Sequence, residues 1–399
     1  RQGTREHMKL LSLALGMFAV GVDGFVVAGI LRPISSDLGV SVASAGLLET
    51  SFALSIAVLA PLLVTALGSV PPRLTLTASL AAFTVFNILA AVSPWFWLLL
   101  VARVLAGLSV GVFQAVAPMV ASMTAPKDGQ GSALAVVTSG MTAGIVLGVP
   151  IGIFVTNQFD WRFSFWLVAL LGAVAAIACS TQFAEVPGPP PTPLRERVSV
   201  AAHPSVLLML GSITVWMLGG YVLYVFMGPM LQGVANVSGS ALPWIFFGFG
   251  VASVVGNLAG GRALDRWGAA AALIIGLTGG GLGLFLTSLL HTSQTGVILA
   301  VLLWSTAGWM LTPPQQARLL RLGPHLAPVL MSLNASAMYL GMGLGGLVGG
   351  LVLRTGALHD LGWVGGIFEV IAIVMVVIQH RRRMTQPLTP RSPVTPTQE

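Results

Sequence analysis

The chain has 399 residues, of which 55% are hydrophobic and only 8% charged, whereas a soluble domain carries about 25% charged residues to meet water. Most of its surface therefore faces something apolar. The formal net charge of +7 does not point to nucleic acid, because the basic residues sit in short loops and tails between apolar runs. The single cysteine, Cys179, excludes a disulfide framework or a cysteine-rich metal site.

A helix needs about 20 mostly apolar residues to cross the hydrocarbon core of a bilayer. Such runs are predicted over 8–31, 43–66, 73–93, 95–120, 131–155 and 161–182, then over 204–231, 239–261, 269–290, 295–319, 326–353 and 361–380. The first run exceeds the roughly 7–15 residues of a signal-peptide core and contains Asp23, so it is expected to be a retained helix. Strands are not expected, because open sheet edges go unsatisfied in lipid. Residues 185–203 are polar and Pro-rich, and 384–399 are rich in Pro, Thr and Ser, the composition of a disordered tail. The expected fold is an all-α membrane protein with twelve transmembrane helices in two pseudo-symmetric six-helix bundles. Its parts are an N-terminal bundle (1–184), a cytoplasmic linker (185–203), a C-terminal bundle (204–383) and a cytoplasmic tail (384–399).

Orientation follows from the basic residues, which accumulate on the cytoplasmic side. One set of loops and tails holds Arg1, Arg5, Lys9, Arg73, Lys127, Arg195, Arg197, Arg262, Arg266, Arg318, Arg321, Arg381, Arg382, Arg383 and Arg391, and the opposite set only Arg32, Arg162 and Arg354. Both termini and the linker are therefore expected in the cytoplasm. The halves also look like repeats. Asp160 and Asp360 precede the last helix of each half, and the fifth helix of each carries a glycine series: 140, 144, 148 and 152 in one, 341, 343, 345, 346, 349 and 350 in the other. Six plus six helices with a cytoplasmic connection is the parallel-repeat plan of a rocking transporter.

Four groups of residues carry chemistry. Arg103, in Arg103-Val104-Leu105-Ala106-Gly107-Leu108-Ser109-Val110-Gly111, lies inside the fourth predicted helix, where a buried Arg costs at least ~2.5–3.5 kcal/mol and needs a partner or a watery cavity. Gly140, Gly144, Gly148 and Gly152 form a smooth stripe for close helix packing, and Pro150 removes a backbone donor and bends the helix. The string from Gly260 to Gly268, with Gly261, Arg262, Asp265 and Arg266, is predicted as a tight cytoplasmic turn. Asp265 there is placed to accept hydrogen bonds from a neighbouring helix N-terminus and latch that side shut; the alternative is an ordinary charged turn that sets topology. Finally, Asp23, Glu49 and Arg103 lie eight, six and seven residues inward from the outer ends of their helices, which at 1.5 Å per residue is one level about 9–12 Å deep.

The 260–268 string resembles the loop signature of the major facilitator superfamily. Arg103 with its glycines resembles the fourth-helix motif of proton-coupled members. The 140–152 string, followed by Asp160-Trp161-Arg162 and Phe165, resembles the fifth-helix signature of drug and sugar exporters, and Pro33-Ile34 with Asp37-Leu38-Gly39-Val40-Ser41 adds to the likeness. The resemblance covers most of the chain and is nearest to the twelve-helix drug:proton antiporters and arabinose-efflux-like permeases. The first-half copy of the loop departs from the pattern, with Gly68 for the acid and Pro71 for the second glycine, which weakens any gating role there.

The resemblance implies a major facilitator fold in a bacterial plasma membrane, a cavity lined by helices 1, 4, 7 and 10, and no cofactor, metal or enzymatic activity. Substrate-binding candidates are Gln114, Trp216, Tyr221, Tyr224, Trp304 and Trp309, with Asn257 and Asn334 as further polar positions; the alternative for the aromatics is the lipid interface, and for Gln114, Asn257 and Asn334 it is hydrogen bonding between helices. Two carboxylates sharing Arg103 are not both comfortably ionised: the arginine holds one deprotonated, while burial and like-charge repulsion favour the protonated form of the other. Asp23 is expected to carry the proton, since helix 1 lines the cavity, with Glu49 as the alternative and Glu369 a weaker candidate; a static ion-pair triad is the structural alternative. The expected function is proton-coupled efflux of a small hydrophobic, drug-like or sugar-like compound by a monomer, with drug resistance as its consequence. The partners are then the substrate, protons and the bilayer. The alternatives are a proton symporter, an uncoupled facilitator or a non-transporting membrane sensor. An alkaline phosphatase fused to the C-terminus should be inactive and a green fluorescent protein fused there bright; an active phosphatase would reverse the topology.

Overall fold

The computed structural model describes residues 2–125, 129–183, 194–323 and 326–382, with backbone alone for 2–6 and 194–197. The expected tail 384–399 and the first part of the expected linker lie outside these residues, as do Arg1, Lys127, Arg383 and Arg391. Within them the chain is helical. Helix α1 is Gln2–Asp37, α2 Val42–Ala66, α3 Pro72–Ala91, α4 Phe96–Thr124, α5 Gln130–Gln158 and α6 Arg162–Gln182. A short helix, Leu194–Ala201, sits in the expected linker. Then come α7 (Pro204–Gly233), a 48-residue helix Leu242–Leu289, α10 (Gln294–Leu322) and α11 (Ala327–Thr355), and α12 (Leu361–Arg381).

Eleven of these helices are long and apolar enough to cross a membrane. The 48-residue element turns at Gly268, whose φ of 79° is outside the helical range and costs glycine little. We call its arms α8 (242–267) and α9 (269–289). On α8, Gly256 meets the Thr306 carbonyl and Gly260 that of Met310, whereas on α9 Gly276, Gly279 and Gly283 meet Leu311, Ala307 and Trp304. The contact register with α10 rises along one arm and falls along the other, so the arms run in opposite directions. The predicted turn at 260–268 is corrected accordingly: 260–267 is helical, and the reversal rests on Gly268 alone. A hydropathy reading ends a helix where charges begin, but a charged helix end that projects beyond the apolar layer keeps its backbone bonds.

Glycine sets the packing in both halves. A Cβ on Gly140, Gly144, Gly148 or Gly152 would run into Ala14, Phe18, Val22 or Val26 in turn, a constant separation of 126 residues, so α5 lies parallel to and directly against α1. In the second half Gly341, Gly345 and Gly349 meet Thr214, Leu218 and Val222, a constant separation of 127, placing α11 on α7 in the same way. The matching registers are the internal repeat seen as geometry. Pro150 is accommodated by a wide π turn over Gly144–Gly148, and Pro61 of α2 by another over Ser55–Leu59. A π turn relieves the clash between a proline ring and the carbonyl four residues back.

Helix α1 runs past Pro33 to Asp37, six residues beyond the predicted end at 31, because Ile34 is still buried and Asp37 is held from α6. Arg162 Nη1 lies 2.7 Å from Asp37 Oδ2 and Trp161 Nε1 3.1 Å from it, which joins two stretches that the sequence analysis had singled out separately. The halves meet where α1 touches the Met227–Gly233 end of α7, where α2 touches α11 and where α5 touches α8. Gly228 lies on Ala28, Gly346 on Thr50 and Gly343 on Leu54. These contacts cluster toward the end to which α1 and α11 run, away from residues 2–12 and 370–382.

Replacing Gly144 with Leu should stop transport and lower the thermal midpoint in detergent by several degrees while leaving the chain in the membrane, because the new Cβ meets the backbone carbonyl of Phe18, which no rotamer change relieves. Gly148→Leu meets only side chains, those of Val22 and Phe18, and should be milder. Equal and normal midpoints and flux for both would place the stripe against lipid.

Candidate functional site

Asp23 of α1, Glu49 of α2 and Arg103 of α4 meet in the interior of the first half. Arg103 Nη1 lies 2.6 Å from Asp23 Oδ1 and Arg103 Nη2 lies 3.6 Å from Glu49 Oε2, with all three side chains at most 1% exposed. Nη2 also donates to the Asp23 main-chain carbonyl at 3.3 Å. Phe52 of α2 lies face-on to the guanidinium, 4.0 Å from ring centroid to Cζ, a favourable place for a desolvated cation. The acids are held unequally. Asp23 has a short charge-assisted bond, whereas both Glu49 oxygens lack any hydrogen-bond partner among the described residues. With all three groups ionised the cluster carries one net negative charge in a buried place, and one proton makes it neutral. Gly107, one turn beyond Arg103, lets α4 approach the Phe52 backbone and the Ser55 hydroxyl; the glycines after the arginine thus serve helix contact.

The second feature is an open cleft between α1, α7, α8 and α10, with about 420 Å³ of space free of atoms, open solvent included. All five aromatic candidates line it: Trp216, Tyr221 and Tyr224 from α7, Trp304 and Trp309 from α10. Phe25 and Phe249, which the sequence analysis did not select, complete the wall. Successive ring centroids lie 5.6 Å (Phe25 to Tyr224), 5.3 Å (Tyr224 to Phe249) and 5.3 Å (Phe249 to Trp304) apart, in the range of favourable aromatic pairs. The Tyr224 hydroxyl donates to the Phe25 carbonyl at 3.1 Å, a bond between the halves. Among the described residues, no Asp, Glu, Lys, Arg or His lines the cleft. The signal for Phe25 was its spacing, two residues after Asp23 on a helix expected to line the cavity; Phe249 gave none, since apolar residues fill α8 on all faces.

The remaining candidates lie elsewhere. Gln114 of α4 is not in the cleft wall; its amide lies 3.0 Å from the hydroxyl of Tyr339 on α11, another bond between the halves. Asn334 is buried and donates to the Met338 sulfur at 3.5 Å, and Asn257 is exposed. In the 260–268 string Asp265 is exposed and makes no hydrogen bond or ion pair with the described residues. The expected latch is therefore not formed in this conformation. Arg262 bonds the Leu258 carbonyl of its own helix at 3.5 Å, and the Arg266 guanidinium lies 5.7 Å from the Trp267 ring. Gly261 has open space around it, and the glycine that permits close approach is Gly260. No group of three or more His, Cys, Asp or Glu that could hold a metal occurs among the described residues.

The profile of the Major Facilitator Superfamily matches residues 13–345 and 208–398. The chain belongs to that superfamily. Curated relatives include the uncharacterized MFS-type transporter YbcL of Bacillus subtilis, 33% identical over 381 residues that cover 95% of this chain and 97% of that one. The chloramphenicol efflux pump MT0201 of Mycobacterium tuberculosis is 29% identical over 396 residues, covering 94% and 93%. Among solved structures, a bacterial homolog of the human lysosomal transporter Spinster, inward-facing and unoccupied, superposes with a TM-score of 0.78 at 17% identity and covers 97% of this chain and 99% of that one. This major facilitator chain is thus a multi-pass membrane transporter with the fold of the superfamily.

In this transporter, replacing Arg103 with Met strands two buried carboxyl groups without their cation. Breaking a buried ion pair by removing one partner costs about 3–5 kcal/mol, so the variant's thermal midpoint should fall well below those of Asp23→Asn and Glu49→Gln. An unchanged midpoint in Arg103→Met would mean that the three groups are not packed together as described.

Proposed function

We propose that this transporter exports small, largely apolar compounds in exchange for protons by alternating access. The observation that carries the reading is that one helix, α1, holds Asp23 in the Arg103 cluster and, two residues on, Phe25 in the wall of the aromatic cleft. A change of protonation in the cluster alters how α1 is tied to α2 and α4, and α1 is also the helix against which the second half closes through Tyr224. The wall of the cleft is aromatic, with polar atoms confined to phenol, indole, Ser305 and main-chain groups. That lining suits an apolar drug-like molecule better than a sugar, which needs several directed hydrogen bonds. The name of the MT0201 relative, an efflux pump for chloramphenicol, agrees with this class.

The geometry favours Glu49 over Asp23 as the proton carrier in this conformation, reversing the order expected from sequence. Asp23 is bound at 2.6 Å and Glu49 only at 3.6 Å, so the proton that neutralises the cluster displaces less on Glu49. With both termini cytoplasmic, as the basic residues require, the contacts between the halves lie on the outer side, and the conformation is inward-facing. The bundles 1–184 and 204–383 then move as two bodies in a monomer, joined by 185–203.

The test uses proteoliposomes with an imposed pH gradient and radiolabelled chloramphenicol as the probe. The unaltered chain should accumulate it under the gradient. Glu49→Gln should fall to the level seen without a gradient while keeping counterflow exchange, and Asp23→Asn should lose most of both. Full gradient dependence in both variants would remove the cluster from coupling and leave it a static support for three helices. No movement of the probe by the unaltered chain would reject this substrate class.

A further inference from the structure

The second half holds one buried acid that the mechanism above does not use. Glu369, in the third turn of α12, is 0% exposed, and neither of its carboxyl oxygens has a hydrogen-bond partner among the described residues. Every helix packed around it presents glycine. A Cβ on Gly219 of α7 would lie 3.4 Å from the Glu369 main-chain nitrogen, one on Gly281 of α9 3.2 Å from its Cβ, and one on Gly280 of α9 3.8 Å from both its Cδ and Oε1. None of these helices directs a charged or titratable side chain at the carboxyl. The buried cation of this half, Arg318 of α10, is instead bonded at 2.7 Å to Gln379, ten residues further along α12, which in turn donates to the Leu208 carbonyl. An ionised carboxylate with neither cation nor donor in an apolar interior is not sustained; the group takes up a proton instead. Even the neutral acid leaves a donor unmatched, so a leucine would fill this space at lower cost.

The place of Glu369 explains how a proton reaches it. The same position beside Gly280 that is 3.8 Å from the Glu369 carboxyl is also 3.8 Å from the main-chain nitrogen of Gly308. Gly308 and its neighbour Trp304 belong to the wall of the aromatic cleft. The one Cβ position left vacant at Gly280 therefore touches both the carboxyl and the backbone of a residue that lines the cleft.

We infer that Glu369 is a second proton-binding site of this transporter, loaded and emptied from the aromatic cleft through the vacant position at Gly280, beside Gly308. It goes beyond the reading above, because it concerns the other half of the molecule and does not depend on the Arg103 cluster. Each half then carries its own exchangeable proton beside one shared cleft, and occupancy of the cleft covers the way to the second.

Infrared difference spectroscopy of the full chain reconstituted in lipid tests this without any substrate. At neutral pH the unaltered protein should show the carbonyl stretch of a protonated carboxylic acid that Glu369→Gln lacks. That band should shift when the buffer is exchanged for deuterated buffer, and should give way to a carboxylate band as the pH is raised. Gly280→Ala, whose methyl fits at ordinary contact distance, should keep the band and slow its deuterium shift at least tenfold. If Glu369→Gln does not reconstitute, Glu369→Asp serves in its place and should move the band. A spectrum in which neither variant alters a protonated carbonyl band would overturn the proposal, as would a band indifferent to deuterium and to high pH, which marks a sealed structural acid. Unslowed exchange in Gly280→Ala would refute the route.

Discussion

Close approach of helix backbones is the constraint on which this architecture rests. Lipid gives helices no hydrophobic reason to associate, so contact depends on how near two backbones come and how many atoms they bring together. The α5 stripe on α1 and the α11 stripe on α7 keep a fixed register over three and two helical steps, respectively. Each contact is a glycine against backbone or a β-branched or aromatic side chain, so each is specific in position. Because α1 and α7 are also the helices that contribute to the cleft, the same packing sets where Phe25, Tyr221 and Tyr224 stand.

Charge inside this frame is spent unevenly. The first half gathers two acids and one arginine and supports the cation with the Phe52 ring. The second half separates its buried acid from its buried arginine, with Gln379 bound to Arg318 and glycines around Glu369. The repeat is therefore kept in packing and broken in electrostatics.

The interface between the halves is closed at one end by small contacts and a few directed bonds. Tyr224 reaches the Phe25 carbonyl, and Gln114 pairs with Tyr339. Each such bond contributes about 0.5–1.5 kcal/mol net, enough to bias a conformational equilibrium and too little to lock it.

The sequence by itself determined the class of the molecule, because composition is dictated by solvent: 55% hydrophobic and 8% charged residues leave no aqueous surface to build. It also determined the helices, the glycine stripe and the common depth of Asp23, Glu49 and Arg103, since rise per residue is fixed in a helix. The rotation of each helix about its axis was not legible, because apolar residues surround most of them and no stripe marks the inner face. For that reason Phe249 carries no sign in sequence of its place in the cleft wall and Phe25 only its spacing from Asp23, and only the fold gives Gln114 its contact with Tyr339 and leaves Asp265 without a hydrogen bond among the described residues. The order of the two acids was likewise a tertiary matter: depth brought them to one level, but only side-chain geometry made one bond 2.6 Å and the other contact 3.6 Å. Glu369 shows the same division: its place inside the last apolar run was legible, whereas its burial and isolation are decided by the glycines that α7 and α9 place around it.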